Sequence, residues 1–233
     1  MSINKTNEIS MLQISDSFFP TGMYSTSSGL EALFYSGRKI TNADDLRELI
    51  KVYLECQIGP ADCSALGNAY EHAERKELQK LLEVDNTLFS MKLIEEIRSA
   101  SIRSGTQILK CVISFIPNND LLNRYHEAIK QRRASGVYPV ALAVISHTFG
   151  ISKYKACLSM LYGFSVSLVG AALRLGTLQH FDGQRIIHEL KPSISETLEK
   201  NIDRPLTGMW QFAPEIDLFQ ITHERMSSKM FIT

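Results

Sequence analysis

The chain has 233 residues, 44% of them hydrophobic, enough to bury one sizeable core without disulfide or metal staples. Basic and acidic side chains balance at 25 each, so no net field gathers nucleic acid or an anionic membrane. Cys56, Cys63, Cys111 and Cys157 form no Cys-x-x-Cys pair, which argues against structural zinc; with a start that lacks an apolar export core, they point to reduced thiols in the cytoplasm.

Helical spacing of apolar residues recurs almost throughout, and strand-like alternation does not, predicting an all-α single-domain bundle of about eight to ten helices. The first distinctive stretch, 20–31, interrupts two helix-like runs with Pro20, Gly22, Tyr24, Ser25, Ser27, Gly29 and Glu31. Pro20 disfavours helix at Phe19, Gly22 permits a left-handed backbone, and Ser25 or Ser27 can cap the helix carrying Leu30, Leu33 and Phe34. No lysine follows the glycines and no strand precedes them, so a phosphate cradle is not indicated.

Thr41 and Asp44 have capping-box-like spacing before Leu46, Leu49, Ile50, Tyr53 and Leu54; Gly59-Pro60 should stop that helix and Pro60 begin the next. A polar bend is expected near Asp85. The run 87–115 then fits one long helix or two, with Gly105 as a close-packing point or break and Pro117 as the end. Further helices are expected over 121–132, from about Pro139 to Gly150, and after Ser152. Residues 156–173 carry no charge, and Ser159, Gly163 and Ser167 recur every fourth position, suiting close approach of another backbone; this is read as a buried central helix rather than a membrane span. Asp182 reads as the capped start of another helix, and Ser193 with Glu196 as the start of a last one. Pro205, Gly208 and Pro214 then separate an all-α domain, 1–204, from an extended or mobile tail, 205–233. That tail carries Ile216, Leu218, Phe219, Ile221, Met226, Met230 and Phe231, which need cover from the chain's own helices or from a partner.

No reaction centre emerges from the spacing. His188-Glu189 and His223-Glu224 begin like a zinc-hydrolase motif, but Pro192 and Ser227 replace the second histidine. His180 and His188 share a helix face only if their helix starts early, so ordinary polar roles are favoured over a paired nickel site. The serines at 25–28 lack a nucleophile elbow. Arg174, at the end of the uncharged helix, either stabilises that end by roughly 0.3 to 1 kcal/mol or contacts a partner's phosphate or carboxylates. The predicted catalytic, cofactor and metal residues are accordingly none.

Pro-x-Gly-x-Tyr-Ser-x-Ser-x-Gly-Leu-Glu at 20–31 resembles the signature of the UreF family of urease accessory proteins. Further matches follow in order: Arg98 with Ser101 and Gly105, Arg174-Leu175 leading to Asp182-Gly183-Gln184-Arg185, and His223-Glu224 followed by Met230-Phe231. The sequence departs from the family pattern at 177–181, Thr-Leu-Gln-His-Phe. The resemblance implies a dimeric, non-enzymatic scaffold that joins the accessory protein UreD (UreH), recruits the GTPase UreG, and helps deliver nickel to apo-urease. It implies partner-facing roles for the 20–31 loop, Arg98, Arg174, Asp182, Gly183, Gln184, His223, Glu224, Met226 and Phe231. Two rival readings stay open: a regulator of the GTPase acting through Arg174, and a small helical enzyme with a site built from separated His and acidic residues.

Overall fold

The structure, a computed structural model, describes the backbone of residues 3–37 and 42–233 and the side chains of residues 6–37 and 42–233. Among these residues the regular elements are all helical, as the periodicity predicts. Helix α1 (Ile3–Ser15) leads into the 20–31 loop and the short α2 (Leu30–Tyr35). Helix α3 (Ala43–Tyr53) is capped by the Asn42 side chain, which accepts from the Asp45 amide at 2.9 Å. The expected Thr41 cap lies outside the described residues.

The stop expected at Gly59-Pro60 does not occur. Helix α3 runs into a π-helix, Leu54–Cys63, and on into α4 (Ser64–Glu74), with Pro60 inside the rod. Proline has no amide to bond back along a helix, and the wider π turn accommodates its ring. The Cys56 carbonyl, one turn before the proline, accepts from the Phe212 amide at 2.9 Å, and the Pro60 carbonyl accepts from the Trp210 amide at 3.3 Å. A segment far along the chain thus ties itself to carbonyls of the proline-containing turn.

The run after residue 77 divides into α5 (Leu78–Met91) and α6 (Glu95–Phe115). Asp85, expected in a polar bend, is instead fully buried within α5. Its carboxylate accepts from Tyr125 Oη at 2.5 Å and from the amides of Ser135, Gly136 and Val137, at 2.6 Å for Ser135, so it staples the turn between α7 (Asp120–Lys130) and α8 (Tyr138–Thr148). Gly105 is a close-packing point, as expected: a Cβ there would stand 2.2 Å from the Gly136 carbonyl oxygen.

Helix α9 (Lys153–Arg174), started by Ser152, is long and apolar enough to cross a membrane, but 56% of that stretch is buried inside the protein. Cys157, Leu161, Phe164 and Leu168 pack into the core, while Tyr162 and Val166 are exposed. The expected buried central helix is therefore buried on one side only, and the Gly163 face is open, with nothing within 4 Å of where a Cβ at that position would stand. Helix α10 (His180–Asn201) packs along α9 and continues through Pro192, so the start expected at Ser193 is absent. Pro192 is exposed, where water can serve the carbonyl it leaves.

The tail is neither extended nor loose. Its helix α11 (Pro214–Glu224) packs on α2 and α6, and Ile216, Gln220, His223, Phe231 and Thr233 are buried with the rest of the core.

Candidate functional site

The loop, the end of α9 and the tail, singled out separately in the sequence, meet in space. The loop is shaped first. Gly22 has φ +76° and precedes a single turn over Met23–Ser25, while Ser28 and Gly29 follow with φ 54° and +91°. Gly29 is required twice over: its left-handed backbone favours glycine, and a Cβ would lie 3.0 Å from the Gln220 amide nitrogen of α11. Gly29 takes the cap position of α2, and of the two expected serines Ser27 serves the helix start, its hydroxyl accepting from the Glu31 amide at 3.4 Å. Ser25 instead donates to the Gly22 carbonyl at 2.8 Å, closing the turn within the loop.

With that geometry the loop receives the tail. The Ser27 amide donates to the Thr233 carbonyl at 2.7 Å, joined by the Ser27 hydroxyl, and the Ile232 amide donates to the Ser25 carbonyl at 2.8 Å. Gln220 Nε2 and Tyr53 Oη both donate to the Ser28 carbonyl.

Glu31 is the centre of the arrangement. Its carboxylate accepts from the Met230 amide at 2.7 Å and the Phe231 amide at 3.1 Å, and faces His223 Nε2 at 2.9 Å. His223 Nδ1 faces Glu96 Oε2 at 2.7 Å, and Lys229 Nζ donates to the other Glu96 oxygen at 2.9 Å. Glu31 is 1% exposed and His223 fully buried. Burial raises the Glu31 carboxyl; the Met230 amide, His223 and the Phe231 amide outweigh it and hold the group below the ordinary glutamate value.

Arg174 closes the other side. Its Nε donates to the Gly170 carbonyl at 3.0 Å and Nη1 to the Tyr24 carbonyl, while the guanidinium lies between the rings of Tyr24 and Phe231, 4.0 and 4.5 Å from their centroids. Burial lowers its pKa, yet guanidinium remains a cation at any physiological pH. Its bond to Gly170 makes it a helix-end charge, its guanidinium is shared with loop and tail, and, half-buried, it keeps surface on the groove between the loop and α9.

The other predicted positions lie elsewhere or at the rim. Arg98 donates to the Lys92 carbonyl at 3.3 Å and covers the Phe89 ring, bracing the α5–α6 corner above the buried Lys92–Asp62 ion pair. Asp182 does not cap α10 but occupies its third position, reciprocating with the Gln179 cap across the 177–181 departure. Gly183 lets α10 settle on Val169 of α9, and Gln184 is exposed. Pro20 and Glu224 are exposed and Met226 is half-buried. His180 and His188 are exposed at the start of α10, and His188 lies 3.3 Å from Lys191 Nζ. Glu96 and Lys229 were missed because no local spacing links them to Glu31; their only sequence signal is that a helical Glu and a tail Lys are free to pair once the fold joins them.

Beside Arg174 runs a groove of about 430 Å³ between the loop and the open face of α9, bordered by Arg174 itself and by Tyr24, Tyr162, Gly163, Val166 and Gly170.

Fold and site together define an all-α protein whose buried charges and stacked rings hold a tail in place. Comparison then specifies which. The model of the UreF family matches residues 40–191, more than half of the chain, and the chain belongs to the UreF family. Relatives matched along nearly all of their length are the Urease accessory protein UreF of Trichodesmium erythraeum (strain IMS101), 28% identical over 97% of both chains, and that of Bacillus sp. (strain TB-90), 29% identical over 97% of this chain and 98% of its own. Urease accessory protein UreF 1 of Brucella melitensis biotype 1 is 30% identical over 95% of this chain and 91% of its own. The family is one of accessory proteins, and the chain is not an enzyme.

Proposed function

We propose that this protein is a cytoplasmic, two-fold dimeric scaffold in urease maturation, binding a UreD/UreH-type accessory protein and recruiting a UreG-type GTPase so that nickel reaches apo-urease. The observation that carries the partner role is the outer side of the docked tail. Phe212, Leu218, Met230 and Ile232 are 72%, 63%, 59% and 45% exposed although the segment around them is held by hydrogen bonds and buried neighbours. Apolar side chains kept in water on an ordered segment are suited to burial against another protein. The α10 start, with Phe181 89% exposed beside the paired Arg47, Arg185, Asp44 and Glu189, is the surface we assign to the GTPase.

The second copy of this chain fits the α9 groove. A two-fold interface needs hollow and projection on the same patch. Helix α9 supplies both, the hollow at Gly163 and Gly170 and the projections at Tyr162 and Val166.

The decisive experiment is capture of the tagged, full-length protein from its own cells, alongside a variant with Leu218→Asp and Met230→Asp. Urease subunits and accessory proteins should be enriched with the first and depleted with the second. Equal recovery from both would remove the tail surface, and absence of urease components from both would remove the scaffold reading.

A further inference from the structure

Two side chains of the family signature at 20–31, Ser27 and Glu31, are out of reach of an incoming protein, whereas Tyr24 is 69% exposed. Ser27 is fully buried and Glu31 is 1% exposed, and the hydrogen-bond partners found for Glu31 outside its own loop all lie in the tail: the amides of Met230 and Phe231 and the imidazole of His223. Tyr24 reaches the tail through Arg174, which it shares with the Phe231 ring. Gly29 keeps the space into which the α11 backbone fits.

We infer that Glu31 and Arg174 are positioning residues, which clamp residues 223–233 in the conformation that a partner meets. His223 is the pivot. Each of its ring nitrogens faces a carboxylate, Glu31 on one side and Glu96 on the other, with Lys229 pairing the second. A carboxylate can accept from both a peptide amide and an imidazole, so one Glu31 group fixes two successive tail amides and the histidine at once. Arg174 then holds the ring of the residue carrying one of those amides, Phe231, 4.5 Å from its guanidinium.

The inference rests on the proposed tail surface for its consequence in binding, but the clamp itself is tested on the isolated full-length protein. Hydrogen exchange would be followed at the Met230, Phe231 and Ile232 amides and, as reference, at core amides of α4 and α8, in the wild type and in Glu31→Ala, Glu31→Gln, Arg174→Ala and His223→Gln. Glu31→Ala should speed exchange at the tail amides by about tenfold or more while the reference amides keep their protection, because charge-assisted bonds are lost from a locally opening unit. Glu31→Gln, which retains an acceptor oxygen, should fall between, and Glu31→Gln with His223→Gln should accelerate exchange by less than the product of the single effects. Arg174→Ala should loosen the Phe231 and Ile232 amides. Unchanged tail exchange in both Glu31 variants, multiplicative effects in the double variant, or equal acceleration in tail and core would overturn the clamp. A wild-type-like clamp in a protein that captures no urease component would leave the clamp standing and remove the proposed function instead.

Discussion

Glu31 turns the clamp into a measurable pH effect. Its carboxyl sits below the ordinary value because the tail's hydrogen bonds outweigh the opposing effect of burial. A group whose folded pKa is depressed contributes stability above its unfolded pKa and loses it as pH falls through the folded one. The tail should therefore hold from neutral pH down to the ordinary glutamate range, near 4.5, and loosen below it. Tail-amide exchange or tail proteolysis measured from pH 6 to pH 3 (roughly the window that brackets a glutamate) should show a release in the wild type that Glu31→Gln flattens. A wild-type acid profile retained by Glu31→Gln would assign the release to other carboxylates. The same residue shows the limit of local reading. Glu31 looks like a first-turn helix acid, and nothing in its neighbourhood announces a histidine 192 positions away.

Where spacing and turn residues act within one helix, the sequence was readable: Ser152, Gly150, the helix from Pro139 and the separation at Gly136 all stand where local chemistry puts them. It misled where a distant segment supplied what a local rule said was missing. Pro60 sits within a helix because a π turn takes its ring and residues 210–212 bond to carbonyls beside it, and Asp85 is buried because the turn before α8 presents three amides to it. The small-residue face of α9 misled differently, since periodicity marks a face but not what lies against it. Two glycines make the contrast testable. Gly105→Ala should destabilise by at least about 1 to 3 kcal/mol, the range for overpacking, since the obstacle is the Gly136 backbone. Gly163→Ala should leave the melting temperature unchanged or raise it slightly, because an open helical glycine gains up to about 1 kcal/mol on replacement by alanine. A large loss at Gly163 or none at Gly105 in thermal melts would contradict these packing assignments.

Over the whole molecule, the docked tail alters what truncation should do. Removing 217–233 takes away His223 and the Phe231 side chain, 3% exposed, and leaves Glu31 without those partners. The truncated chain should remain helical but lose about 3 kcal/mol or more, since a buried phenylalanine alone is worth about that much. Circular dichroism would check it, and an unchanged melt would mean that the tail's contacts contribute little to the folded state. For the dimer, light scattering of the wild type at micromolar concentration should give twice the 26.3 kDa chain mass. Gly163→Leu should fold normally yet shift the mass toward one chain by filling the α9 groove; a monomeric wild type would remove the dimer proposal, and a dimeric Gly163→Leu would move the interface elsewhere.

The bonds from Trp210 and Phe212 to the π-helix also set an order of events during synthesis. The Cys56 carbonyl receives the Phe212 amide only after more than half of the chain beyond it has been made, and the Ser27–Thr233 contact spans 206 positions. Until then a nascent chain holds a proline-interrupted rod and an acidic pocket without their complements, and contacts this remote in sequence close slowly. A ribosome-bound chain stalled near residue 205 should therefore protect the α5–α8 region from protease well before it protects the 54–63 turn or the 20–31 loop.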